Sequence, residues 1–263
     1  MDWTRFENAN KLWKAGRNED AAQEFHAIAE EVEHADEKAG VLINEHKCYC
    51  QIGKLNEARE VMREIRVLPM QNNFVRMIVD LGDACMTTQL GNLEEGVFKF
   101  EKVLQSNHEE LRDPRNRDLY EDLQERRGFA LTSLRRYAEA LPILKEAASF
   151  TKDSDPHLVY FYMGICYQDT SQPASAKEAL LRAIQLGVSN EHEASARYRL
   201  GILYFRDRAF AQAKYQLESA LQLPESAIDR ELRKNIYHRA SRTCHYLGEA
   251  EEEQRYLKLM KSL

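Results

Sequence analysis

Small residues recur in pairs along the chain, and the two members of each pair lie twelve positions apart. The clear pairs are Ala9 and Ala21, Ala84 and Gly96, Gly128 and Ala140, Gly164 and Ala176, and Gly201 and Ala213, with His46 and Ala58 and Ser241 and Glu253 as degenerate copies. The first members follow one another at intervals of 36 to 44 residues. A period in this range is typical of repeat architectures. The pattern therefore predicts seven consecutive units.

Larger apolar residues surround each pair at helical spacing. In the fifth unit Tyr160, Met163 and Tyr167 accompany the first small residue, and Leu180 and Ala183 follow the second. Where two helices cross closely, a side chain larger than alanine holds their backbones apart. Each pair therefore marks a contact between helices, and each unit is predicted to be two antiparallel helices joined by a short turn.

The predicted units cover 2–34, 37–70, 74–107, 114–151, 156–188, 193–224 and 225–263. Asp113-Pro114 and Asp155-Pro156 are typical of an N-cap followed by proline at the first helical position. Lengthened first helices are expected from near Pro114 and from about Glu225 to Leu247. The last unit carries Glu253 in place of the second small residue, as expected of a cap with a polar outer face. No linker interrupts the pattern, so a single domain over 1–263 is predicted.

The units resemble the tetratricopeptide repeat. That repeat places a small residue and an aromatic on its first helix, and alanine, a large apolar residue and alanine on its second. The segments that match most closely are MGICYQDTSQPASAKEALLRAIQL, LGILYFRDRAFAQAKYQLESALQL and GFALTSLRRYAEALPILKEA. The resemblance implies an all-α fold, a right-handed α-solenoid of about seven helix-turn-helix repeats. It also implies a binding scaffold whose first helices line a concave groove.

Composition and motifs argue against several other classes of function. The sequence contains no Gly-rich phosphate loop, Gly-x-Ser-x-Gly elbow, His-Glu-x-x-His pair or paired-cysteine zinc pattern, so no enzyme activity, cofactor or metal is predicted. The five cysteines are scattered, and His238 and His245 lie two helical turns apart, beyond the spacing that two ligands on one helix prefer. A net charge of −6 argues against nucleic-acid binding.

The inward side chains can be predicted from the position of the small residue on each first helix. The candidate groove residues are Asn10, Asn44, Phe161, Tyr162, Tyr198, Arg199, Phe205, Arg206, Asn235, His238, Arg239 and Arg242. Lys47, Gln51, Gln89, Gln168 and Tyr246 are also predicted to face inward.

Basic residues concentrate at the C-terminal end of this predicted groove. Residues 195–245 contain ten Arg or Lys and five Asp or Glu, a balance of +5 in a chain of net charge −6. Arginine can hold a carboxylate bidentately, and the interleaved aromatics offer flat apolar contact. This favours a protein or peptide partner with an acidic segment. The competing interpretation is that these arginines pair with neighbours such as Asp207 and Glu231, or only solvate a helix.

Other interpretations stay open at this point. Asn10 and Asn44 match two positions of the carboxylate clamp of some tetratricopeptide co-chaperones, but Phe6, Ile78 and Gly82 stand where that clamp has cations. The alternative to an adaptor is a regulatory sensor that binds a short signalling peptide and changes the shape of its superhelix. The sequence does not indicate a homo-oligomer and does not exclude one. The N-terminus has no basic stretch followed by an apolar core, and no long apolar run is present, so a cytoplasmic protein without membrane contact is expected.

Overall fold

The computed structural model describes residues 1–150 and 156–263, and within them all regular structure is helical. The chain forms two compact units, Met1–Leu134 and Arg135–Leu263. Helices of the first unit are α1 (Trp3–Lys14), α2 (Asn18–Glu31), α3 (Ala35–Gln51), α4 (Leu55–Arg66), α5 (Asn73–Gln89), α6 (Leu93–Ser106), α7 (His108–Arg112) and α8 (Arg117–Ser133). Those of the second are α9 (Tyr137–Phe150), α10 (His157–Asp169), α11 (Pro173–Gln185), α12 (Asn190–Arg206), α13 (Phe210–Leu221), α14 (Arg230–Leu247) and α15 (Ala250–Lys261).

Each unit is an α-solenoid of helical hairpins, as the sequence predicts. In the first unit α1 packs on α2, α3 on α4 and α5 on α6, and successive hairpins meet through α2 with α3 and α3 with α5. In the second unit α10 packs on α11, α12 on α13 and α14 on α15, with α9 against α10. The apolar stripes of these helices are buried between neighbouring hairpins, as with Phe25 and Leu42 in the first unit and Leu180 and Leu200 in the second.

The small residues lie at close helix contacts, as the spacing predicts. A Cβ atom placed on Gly164 would lie 2.6 Å from Cγ of Leu180, and one on Gly201 would lie 2.8 Å from Cγ of Leu217. The residue that touches the glycine is therefore a leucine one turn beyond the paired alanine. Because these distances are far below ordinary van der Waals contact, any side chain at the two glycines would push the hairpins open.

His46 occupies the position of the first small residue in the hairpin of α3 and α4. Its ring is buried, and Nδ1 lies 3.0 Å from the carbonyl oxygen of Ala58, the other member of the pair. Burial lowers the pKa of His46, although its backbone hydrogen bonds oppose that effect. Gly82 on α5 packs closely against α3, since a Cβ there would lie 2.7 Å from Cδ1 of Ile43 and 3.7 Å from Cδ2 of His46. A polar contact thus replaces the close helix approach.

In each of the seven repeats, the turn after the first helix contains a residue with left-handed backbone conformation. These residues lie seven positions after the first residue of each twelve-spaced pair, at Gly16, Gly53, Gly91, Arg135, Ser171, Arg208 and Gly248. In the first turn the N–H of Arg17 donates to the carbonyl of Leu12 and that of Gly16 to Trp13, both at 3.0 Å. These are the two bonds that end a helix in a Schellman motif. The repeat is therefore visible in backbone geometry as well as in packing.

The two helices predicted to be lengthened are 17 and 18 residues long, and α14 ends at Leu247 as predicted, but they begin later than predicted, at Arg117 and Arg230. The short helix α7 and a 3₁₀ turn at Pro114–Asn116 precede α8, and a second 3₁₀ turn at Glu225–Ala227 precedes α14. Asp113 is an N-cap followed by Pro114, as predicted: it accepts a hydrogen bond from the N–H of Arg115 at 2.9 Å, but the segment that it caps is a 3₁₀ turn. The later start of α14 has a local cause, because Asp229 accepts a hydrogen bond from the N–H of Leu232 at 2.7 Å and caps that helix. Asp155, the other predicted cap, lies outside the described residues.

Candidate functional site

The second unit contains a cluster of arginine and aromatic side chains built on α12, α13 and α14. Phe205, near the end of α12, lies 5.3 Å from Cζ of Arg239 and 5.4 Å from Cζ of Arg242, measured to its ring centroid. Both arginines project from α14. Contact with an aromatic face attracts a guanidinium group and restricts its motion. Phe205 therefore holds two positive charges in fixed positions on one surface.

Two further aromatic rings support this arrangement. Phe210 and Tyr246 stack at 4.8 Å with an interplanar angle of 7°, and each meets Phe205 edge to face, at 5.4 and 5.5 Å. Tyr246 is 57% exposed, so part of the stack faces solvent. We name Phe205, Phe210, Arg239, Arg242 and Tyr246 the arginine-aromatic surface.

The charges of this surface are not neutralised within the part of the chain that the structure describes. Arg239 and Arg242 form no ion pair there, and Nε of Arg239 is buried without a hydrogen-bond partner. Arg206 is exposed and also forms no ion pair among the described residues. Its neighbour Asp207, which the sequence offered as a partner, binds Lys177 of α11 at 2.6 Å instead. Guanidinium groups without an ion pair are candidates for binding an external anion, and those of Arg206 and Arg242 are exposed to solvent.

Arg199 lies two helical turns before Arg206 on α12 and has a different environment. Its Nη1 donates to Oε1 of Gln168 on α10 at 3.2 Å, while Nε is buried without a partner among the described atoms. Burial lowers the pKa of Arg199, and nearby Asp169 and Tyr137 oppose this effect. An arginine side chain stays protonated in proteins, so a partly buried positive charge remains at this position.

The other sequence-predicted residues of the second unit are distributed more widely. Asn235 and His238 are exposed on α14, close in sequence to Arg239, whereas Tyr198 is half-buried against the core of the last hairpins. Phe161 is buried in the core, where it meets Tyr162 at 5.4 Å and His192 at 4.9 Å. Phe161 is therefore a packing residue, and a partner could reach only Tyr162 of this pair.

The two predicted asparagines lie in the first unit. Asn44 is half-buried, and its Nδ2 donates to the carbonyl oxygen of Gly40 on its own helix at 2.9 Å. One of its amide hydrogens is therefore already used inside α3. Asn10 is half-buried on α1.

The repeat pattern does not predict a role for Phe210. That pattern places partner-facing residues on first helices, whereas Phe210 is the first residue of α13, a second helix. The only signal in the sequence is its place directly after the turn that contains Arg208, where the chain passes beside the end of α12.

None of the helices described is both long and apolar enough to span a bilayer. No group of three or more His, Cys, Asp or Glu side chains with metal-binding geometry occurs over 1–150 and 156–263.

The structure is similar to several solved structures, although no family model and no curated protein matches the sequence. It is similar to PilF of Pseudomonas aeruginosa, with a TM-score of 0.64 and 18% identity over 86% of this chain and 92% of that one. PilW, a widely conserved type IV pilus biogenesis factor, gives a TM-score of 0.63 at 14% identity over 85% of this chain and 92% of that one. YrrB, a TPR protein with an unusual peptide-binding site, gives 0.52 at 16% identity over 70% and 84%. The chain therefore has the fold of the tetratricopeptide-repeat proteins.

Proposed function

We propose that this protein is an interaction scaffold that binds an acidic segment of a partner protein on the arginine-aromatic surface of its second unit. The observation that carries the proposal is the pair of guanidinium groups held against Phe205 without an ion pair among the described residues. Helical-repeat folds commonly bind extended peptides or helices along their exposed helix faces. The peptide-binding site of YrrB, a protein of the same fold, supports this class of function.

The chemistry of the surface favours an acidic residue next to an apolar one. Each guanidinium offers a planar array of donors that can bind a carboxylate bidentately. The exposed part of the Tyr246 ring offers an apolar face beside those donors. Because Phe205 already restricts Arg239 and Arg242, less side-chain entropy is lost when the acid binds. Arg206 adds a further exposed positive charge on α12.

Selection from a library of displayed random peptides tests the proposal. The unmodified protein is the bait, and the Arg239→Glu/Arg242→Glu variant is used for counter-selection. Enriched peptides should carry Asp or Glu next to an aromatic or aliphatic residue. Peptides enriched without an acidic bias, or bound equally by the variant, would contradict the proposal.

A single continuous domain, a cytoplasmic location and a purely non-enzymatic role stay predictions. Of these, the location matters most for finding the partner, since it decides which proteins the surface meets.

A further inference from the structure

The first unit encloses a second candidate site, separate from the arginine-aromatic surface. A cavity of about 220 Å³ lies among α1, α3, α5 and α8. Its exposed lining residues are Gln51, Gln89 and Arg126, so the cavity opens to solvent beside them. Pockets for drug-sized ligands usually measure roughly 300–1,000 Å³. This cavity therefore has room for only a small molecule or a single large side chain.

The inner wall of the cavity is apolar. Ile78, Leu81 and Leu119 contribute aliphatic groups, and Cys50 and Cys85 contribute thiols. Burial raises the pKa of Cys50 to about 11 and that of Cys85 to about 12. Both thiols are thus neutral at physiological pH and behave as small apolar groups. A ligand would bury a hydrocarbon portion against this wall.

The polar part of the lining carries one net positive charge. Lys47 forms no ion pair within the described residues, whereas Arg126 donates through Nε to Oδ1 of Asp122 at 2.7 Å. Arg126 makes no other hydrogen bond among the described residues, so the N–H groups of its two terminal nitrogens remain available to a ligand. The lining thus contains two cations, Lys47 and Arg126, and only one carboxylate, that of Asp122. The first unit is acidic overall, with 18 Arg or Lys and 26 Asp or Glu, so this local excess of positive charge stands out from its surroundings.

His46 and two glutamines also line the cavity, and both ring nitrogens of His46 already have neighbours, the Ala58 carbonyl at 3.0 Å and Sγ of Cys50 at 3.5 Å. Oε1 of Gln51 accepts a hydrogen bond from Nε1 of Trp13 at 2.7 Å, which leaves the Gln51 NH₂ group to donate. Gln89 makes no hydrogen bond within the described residues. Together with Lys47 and Arg126, these groups supply mainly donors. A cavity whose polar lining offers hydrogen-bond donors and positive charge, and whose inner wall is hydrocarbon, suits an amphipathic anion.

We propose that this cavity binds a small free carboxylic acid with a compact apolar body, whose carboxylate lies between Lys47 and Arg126. The apolar body packs on the inner wall beneath Trp13. This makes the first unit a small-molecule site, independent of the partner surface of the second.

Trp13 provides a direct reporter for the test. The sequence has two tryptophans, so a Trp3→Phe variant leaves Trp13 as the only one. The probe is 3-phenylpropanoate, compared with its neutral analogue 3-phenylpropanamide. We expect a saturable change in Trp13 fluorescence with the acid and at least tenfold weaker binding of the amide. This comparison needs no substitution in the cavity, so it remains informative whatever the variants do.

Substitutions then locate the carboxylate. Lys47→Gln and Arg126→Gln should each weaken binding of the acid at least fivefold and leave the weak binding of the amide unchanged. Lys11→Gln, which removes an exposed charge of α1 outside the cavity lining, is the matched control and should change binding less than twofold. No saturable response, equal affinity for acid and amide, or tighter binding of a peptide that ends in phenylalanine would each overturn the proposal.

Discussion

Arg239 lies over the ring of Phe205, with 5.3 Å between its guanidinium carbon and the ring centroid, while its Nε is buried without a hydrogen-bond partner among the described residues. The contact holds the guanidinium group of Arg239 in place, but it provides no hydrogen-bond acceptor for Nε. A structural arginine would normally find a carboxylate, as Arg197 does with Glu193 at 2.7 Å on α12. The contrast between these two arginines is the reason to regard Arg239 as a binding residue.

Removing the aromatic support should weaken binding although every charge remains. We expect Phe205→Leu to lower the affinity for a selected acidic peptide about fivefold, because Arg239 and Arg242 regain side-chain freedom that binding must then remove. Calorimetric titration measures this change. Tyr215→Leu is the control, since Tyr215 is an exposed aromatic on α13 outside the surface. Equal losses in both variants would mean that Phe205 does not position the arginines.

The glycines at the helix contacts should tolerate no side chain. Gly164→Ala and Gly201→Ala should each lower the free energy of unfolding by about 1–3 kcal/mol, since the new methyl group would lie within 3 Å of Leu180 or Leu217. Gly40→Ala is the control, because Gly40 is also helical and a Cβ there meets nothing within 4 Å. The free energy of unfolding of that variant should rise by about 0.5–1 kcal/mol. Urea denaturation followed by circular dichroism measures these changes. Higher stability of all three variants would show that Gly164 and Gly201 are not required for close helix packing.

Three turns carry a residue other than glycine in the left-handed region. Ser171 and Arg208 have φ of 60° and 58°. Ser171→Gly and Arg208→Gly should each raise the free energy of unfolding by about 0.5–1 kcal/mol, because glycine adopts this conformation without strain. The reverse substitution Gly16→Ala, at φ 75°, should lower it. Thermal unfolding of the four proteins checks the sign at each site, and destabilisation by the two glycines would contradict this reading of the turns.

Much of the fold follows from local signals, whereas the site depends on contacts between repeats. The paired small residues predict the hairpins because each pair reports a contact inside one short segment. The partner of Asp207 could not be predicted in this way, since Lys177 comes from the preceding hairpin. Phe210 was missed for a similar reason: its role depends on Tyr246, which is 36 residues away in the sequence. The segment around α7 lacks a repeat pattern, so nothing in it predicted a separate helix.

The first unit should show a pH dependence that arises from Glu45. Burial raises the pKa of Glu45 to about 7, against the opposing effect of His26, whose Nδ1 lies 3.3 Å from its carboxylate. An unfolded glutamate titrates near pH 4.3. Between these values the folded state binds more protons than the unfolded state, so this group's contribution to stability falls as pH rises from about 4.3 to 7.

Glu45→Gln isolates this effect. The variant should exceed the unmodified protein by about 1–3 kcal/mol in free energy of unfolding at pH 8, and the difference should vanish near pH 4.5. Tryptophan fluorescence during urea denaturation measures the first unit alone, because Trp3 and Trp13 both belong to it. Glu57→Gln, an exposed change on α4, is the control. A difference that does not depend on pH would show that Glu45 acts through packing and not through its charge.

The most direct test of the partner surface is the affinity of a selected acidic peptide for the Arg239→Gln/Arg242→Gln variant, measured by calorimetric titration at two salt concentrations. Lys258→Gln/Lys261→Gln, which removes two charges from α15, is the matched control. We expect at least a tenfold loss of affinity for the arginine variant, less than a twofold loss for the lysine variant, and a weaker salt dependence only in the former. Equal losses in the two variants would show that the peptide responds only to the overall charge of the unit, and would contradict a specific acidic-segment site at Arg239 and Arg242.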